Sequence, residues 1–140
     1  MKNKVLLAVI TIMILFYPIG FVHEIGHYLV GLGNGSTCEI SLLLETHCSP
    51  SPQPNWLYFS LGGIFGMIAS SSLLVVKRLD TWIFIGIITM LFDQLVKTTF
   101  ETFIHSAYLN SPATFWYMTG LVGLFFLCMV RYYPRIKHKT

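Results

Sequence analysis

The sequence predicts an all-α membrane protein: four transmembrane helices, with a short hairpin-like loop outside the membrane after the first. Three observations predict it. The chain is 54% hydrophobic and only 11% charged, where a soluble domain carries about 25% charged residues. So few charges cannot cover a folded surface with solvated groups. Four apolar runs lie near or above the roughly 20 residues that a helix needs to cross the hydrocarbon core. Most basic residues stand beside those runs. The length of 140 residues suits one domain, and residues 1–140 are read as a single polytopic membrane domain.

The first run covers residues 5 to about 30, the second about 56–76, the third 81 to about 100 and the fourth about 114–130. Each is expected to be helical, because a helix satisfies its own backbone groups in lipid. The first run follows Lys2 and Lys4, as a signal peptide would, but it is too long for an h-region of 7–15 residues and lacks a small-x-small cleavage site. It is expected to remain as a helix, kinked near Pro18. Gly62, Gly63 and Gly66, with Ser70, Ser71 and Ser72, give the second helix a small-residue packing face. Trp56, Tyr58, Trp116 and Tyr117 lie near run ends and read as interface anchors. Cys128 reads as ordinary helix packing.

Charge sets the orientation. The net charge of +3 does not imply a nucleic-acid groove, because eight of the nine basic residues flank apolar runs. Lys2 and Lys4 precede the first run, and Lys77 and Arg78 separate the second from the third. Arg131, Arg135, Lys137 and Lys139 follow the fourth, in a tail that reads as a solvated basic end. An even number of spans puts all three groups on one side, and the positive-inside rule makes that side cytoplasmic. Both termini are then cytoplasmic in a multi-pass protein of the cell membrane. Glu39, Glu45 and Glu101 lie toward the opposite side.

The first outer loop, residues 31–55, has two parts. Residues 37–42 partly alternate and read as a short strand, one arm of a hairpin. Residues 49–54 contain repeated prolines and cannot be helical. Cys38 and Cys48 can form a disulfide if the loop faces an oxidising compartment, or stand as two thiols.

The chemistry is concentrated at His23-Glu24-Ile25-Gly26-His27, which fits H-E-x-x-H. Residues four apart on a helix share a face, so both imidazoles can reach one metal ion. Glu24, rotated by about 100°, can sit beside the metal and take a proton from water. Three ionisable residues in five positions of an apolar span are costly to insert and are functional by default. A catalytic zinc site needs a third protein ligand. Asp93, inside the third run, is the first candidate, although it could instead pair with Lys97 at i,i+4. Glu101 and His105 are rivals and lie closer to His27 in depth. Asp93 would need a kink, tilt or unwound turn to come level.

These residues resemble the site-2 protease (M50-type) family of intramembrane metalloproteases. Phe21-Val22-His23-Glu24-Ile25-Gly26-His27 looks like the family's first motif. A strand-like stretch follows, Leu61-Gly62-Gly63-Ile64-Phe65-Gly66 looks like its small-residue motif, and Asp93 occupies the place of its third ligand. The resemblance covers roughly residues 5–100. It implies a site-2-protease-like three-helix core and one Zn2+ held by His23, His27 and Asp93. Glu24 would be the catalytic acid-base, and peptide bonds of membrane-associated substrates would be cleaved. The family has proline at the position of Gly63, asparagine at Gly66 and glycine at Gln94. It also keeps its site nearer the cytosol.

The expected function is therefore an intramembrane zinc metalloendopeptidase. Its partners would be membrane lipid and a membrane-protein or peptide substrate, with no nucleic acid. The strand near Ile40 could pair with an extended substrate. The alternative is a catalytically inactive relative that binds or chaperones transmembrane segments, which the changes at Gly66 and Gln94 favour. A metal-transport role ranks third, because few further polar residues could line a path. The sequence does not set the oligomeric state.

Overall fold

The computed structural model of the chain describes residues 2–51, 56–104 and 111–137. Helix α1 runs over Lys2–Gly33, unbroken through Pro18. Its 32 residues rise about 48 Å at 1.5 Å each, well beyond the roughly 30 Å of hydrocarbon in a bilayer. It ends in a glycine-dependent cap. Gly35 takes φ +79°, the Ser36 N–H donates to Gly31 O at 3.1 Å, and the Gly35 N–H donates to Leu32 O at 2.9 Å. This closes the last turn as a Schellman motif, which requires a left-handed residue there.

Strands β1 (Thr37–Ile40) and β2 (Thr46–Ser49) follow as an antiparallel pair, with Cys38 opposite Cys48 and Ile40 opposite Thr46. Cys38 and Cys48 are disulfide-bonded. The hairpin packs against α1. It lies back along α1. The disulfide rests on Gly31, where a Cβ would strike both sulfurs, and Leu44 rests on Gly20. At the tip, the Tyr17 hydroxyl donates to Leu42 O at 3.4 Å. From Gly31 back to Tyr17 is about 21 Å of helix. Two glycines on one side of α1 give the hairpin room to lie so close. Its outer face is polar, with Thr37, Glu39, His47 and Ser49 exposed. The tip exposes Leu42 and Leu43 at 87% and 83%.

Helix α2 (Trp56–Ser72) passes into a 3-10 turn over Leu73–Val75. Helix α3 (Thr81–Phe103) starts at Asp80, whose carboxylate accepts from the Trp82 N–H at 2.7 Å. This satisfies one of the donors that a helix start leaves open. Helix α4 (Pro112–Lys137) begins at a proline, which suits the first helical position because no N–H is needed there. It runs past the expected end near residue 130. Helices α1 to α4 each contain a segment long and apolar enough to cross a membrane.

Helices α1, α2 and α3 pack mutually, while α4 packs on α3. The α1–α3 pair is parallel. At one end Gly86 sits against Thr11 and the backbone of Ala8, and Ala8, Trp82 and Ile85 are buried together. Further along, Lys97 Nζ stands 5.4 Å from the centre of the Phe16 ring. The α3–α4 pair is antiparallel and joined by aromatic contacts two turns apart. Phe84 meets Tyr133 at 4.9 Å, Phe92 meets Phe125 at 4.2 Å and Phe100 meets Tyr117 at 5.9 Å.

Candidate metal centre

His23 and His27 project from one side of α1 into the space bounded by α2 and α3, and both are buried. Their Nε2 atoms lie 3.1 Å apart. Each ring uses its other nitrogen on a neighbouring helix. His27 Nδ1 is 2.8 Å from the backbone oxygen of Tyr58, and His23 Nδ1 is 2.9 Å from Gln94 Oε1. Both partners are acceptors to which a protonated Nδ1 can donate, and the two Nε2 atoms face each other across the centre. Gly62 of α2 makes room for the His27 ring, since a Cβ there would overlap it. Gly26 of α1 lies against the backbone of Leu61 and Gly62. The small residues of both helices therefore bring α1 and α2 close enough to seat the imidazole.

Glu101, near the end of α3, completes the cluster. Its Oε2 lies 3.3 Å from His23 Nε2 and 3.6 Å from His27 Nε2. The residue is 7% exposed, and Oε2 has no hydrogen-bond donor aimed at it among the described residues. A buried carboxylate oxygen without a donor is costly, and a cation would resolve that cost. The two imidazole nitrogens and this oxygen form a triangle with sides of 3.1, 3.3 and 3.6 Å. Ligands at about 2.0–2.1 Å in a tetrahedron are spaced by about 3.3 Å, so the set fits three corners of a zinc site. Two histidines and a glutamate form a ligand set found at catalytic zinc sites.

Asp93, expected as the third ligand, is engaged elsewhere and is not part of this triangle. Its Oδ2 pairs with Lys97 Nζ at 3.0 Å and accepts from Gln94 Nε2 at 3.0 Å. The reason is the face it takes. Gln94 and Glu101, seven residues apart on one face of α3, both reach His23, whereas Asp93 is rotated about 100° from Gln94 and turns to Lys97. Helix α3 is continuous from Thr81 to Phe103, with no unwound turn to lift Asp93. His105 lies outside the described residues, as does the run 52–55.

Glu24 stands beside the pair. One ligand-capable atom from each of His23, Glu24 and His27 lies within 4.8 Å of the others. The Thr46 hydroxyl of β2 donates to Glu24 Oε2 at 2.8 Å and lies 3.1 Å from Glu24 O. The hairpin thus fixes one carboxylate oxygen. Sequence reasoning missed Gln94, Tyr58 O and Thr46 as parts of the site. Gln94 carried a signal: a carboxamide inside an apolar run needs partners as much as the neighbouring aspartate does. Thr46 and Tyr58 O carried none, because their roles arise only from tertiary placement.

No family model, curated protein or solved structure compared with this chain matches it.

Proposed function

We propose that this chain is a multi-pass membrane zinc metalloprotease that hydrolyses peptide bonds of membrane-associated substrates. The observation that carries this reading is the buried triangle of His23 Nε2, His27 Nε2 and Glu101 Oε2 with Glu24 alongside. Zinc bound by those three atoms would polarise a peptide carbonyl and lower the pKa of a coordinated water. Tyr58 O and Gln94 hold the two rings so that their Nε2 lone pairs remain directed inward. Thr46 orients Glu24, leaving its second carboxylate oxygen to take the proton of the attacking water. Glu24 then delivers that proton to the leaving amine, as a general acid–base does.

The orientation proposed from the basic residues places both termini in the cytoplasm and the cluster toward the outer side. The Cys38–Cys48 disulfide supports it, because such bonds persist in oxidising compartments. The two-stranded sheet has no further strand paired to it among the described residues. It therefore offers an edge to an extended substrate. Proline substitutions in the exposed strand edge that left cleavage unchanged would refute that role.

One observation favours a second reading, a binding or chaperoning module without turnover. A Cβ at Gly66 would meet the Gln94 amide, and that amide is already engaged by His23 and Asp93. With its nitrogen held by Asp93 and no asparagine at position 66, no side chain among the described residues is placed as a donor to a reaction oxyanion. Glu24→Gln separates the readings. With purified protein in lipid nanodiscs, a protease keeps one zinc per chain and loses about 10²–10⁴-fold in turnover. Unchanged function in this variant would instead establish the binding module.

A further inference from the structure

The carboxamide of Gln94 is 0% exposed and joins two groups of opposite hydrogen-bonding demand. Its Nε2 donates to Asp93 Oδ2 at 3.0 Å. Its Oε1 faces His23 Nδ1 at 2.9 Å. Lys97 Nζ closes the far end on Asp93 Oδ2 at 3.0 Å. Gly66 makes the room, since a Cβ there would collide with the amide. The result is a chain, Lys97–Asp93–Gln94–His23, that runs from the half-buried ion pair in the middle of α3 to a buried ring of the candidate metal centre.

We propose that Asp93 is a positioning residue that sets the tautomer of His23 through Gln94. An ionised carboxylate only accepts hydrogen bonds, so the NH₂ end of Gln94 must turn toward Asp93. The amide oxygen is then committed to His23, and the imidazole must carry its proton on Nδ1. That leaves the Nε2 lone pair facing His27 and Glu101. Were the amide turned the other way, its NH₂ would demand an acceptor at Nδ1. The proton would move to Nε2 and the ring could not ligate through that atom. Lys97 Nζ, a donor only, takes the same Asp93 oxygen from the other side. His27 needs no such device, because the backbone oxygen of Tyr58 cannot flip. Outer partners of this kind orient ligating histidines and raise their basicity.

This inference rests on the zinc reading, and two measurements keep the two separable. The first is the zinc dissociation constant and stoichiometry in nanodiscs, by competition with a chromophoric chelator. The second is the His23 ring tautomer in metal-free protein labelled with ¹⁵N-histidine. In Asp93→Asn the side chain can donate as well as accept, so the amide is no longer forced. The expected result is one zinc per chain, bound roughly 10–100-fold more weakly, with the Nε2–H tautomer of His23 appearing. The double variant Asp93→Asn/Gln94→Glu places an obligate acceptor against His23 Nδ1 and is expected to restore affinity and the Nδ1–H tautomer. That rescue would not follow from a general folding role. Complete loss of zinc in Asp93→Asn, with zinc retained in Glu101→Gln, would make Asp93 a ligand and overturn the proposal. So would an unchanged affinity and tautomer in Asp93→Asn. If the wild type bound no zinc, the metal reading would fail. The metal-free spectra would still decide this inference: Nδ1–H in the wild type, lost in Asp93→Asn, sustains it, and Nε2–H in the wild type refutes it.

Discussion

The two ends of the α1–α3 pair differ in what holds them together. At the end near Ala8, Gly86 lets two backbones touch, and Trp82 and Ile85 fill the remaining space with apolar atoms. At the end near His23, the helices face each other across buried imidazole, amide and carboxylate groups. Dispersion and close packing suffice for the first. The second is stable only if every polar atom finds a partner. The two ends divide the labour. The apolar end sets the register between two parallel helices, and the face that α3 then turns to His23 decides which acidic residue arrives beside the histidines.

The polar end is the more sensitive to substitution. Glu101→Ala should reduce zinc content from one ion per chain to none, while Asp93→Ala retains the ion. Metal analysis that showed the reverse would return the ligand role to Asp93. Next comes the apolar end. Ile85 is fully buried, and Ile85→Ala should cost about 2–5 kcal/mol of stability with the zinc stoichiometry unchanged. Equilibrium unfolding in mixed micelles measures it, and a variant as stable as wild type would show that this end is not the anchor. A smaller effect sharpens the role of α2. Gly62→Ala puts a methyl group into the His27 ring and should weaken zinc binding about tenfold or more, since ligand misplacement of this size is costly. Gly120→Ala, where a Cβ meets nothing within 4 Å, is the control, and equal losses in both would point to a nonspecific effect. The smallest effect concerns the hairpin. Thr46→Val removes the hydroxyl on Glu24 while keeping shape, and should lower turnover several-fold, on the scale of about 1 kcal/mol for one hydrogen bond, with zinc affinity unaltered. An unaffected rate would mean that Glu24 does not need the hairpin.

The parts of this molecule legible in its sequence are those that depend on local spacing. The four long apolar helices follow from run length, and the His23–His27 pairing follows from one helical turn. The strand pair after α1 was visible in its first arm only. The second arm is β2, which lies just before the proline-rich run. Which acidic side chain joins the histidines was half legible: depth counting along the run already puts Glu101 nearer His27 than Asp93, whereas the family resemblance and the cost of a carboxylate inside an apolar run favour Asp93. Its cost is met by Lys97 and Gln94 instead. The position of the hairpin was illegible, since Gly20 and Gly31 mark its bed but look like ordinary helix glycines in a list of letters.

The surplus length of α1 has a consequence for how the proposed reaction obtains its second reactant. Hydrolysis consumes one water molecule for each bond cut, and lipid supplies none. If Lys4 marks the inner boundary, about 20 residues of helix fill the hydrocarbon and its outer limit falls near Glu24. The cluster would then sit where the apolar slab gives way to hydrated headgroups. Solvent would reach it from the interface, without a dedicated channel through the bundle.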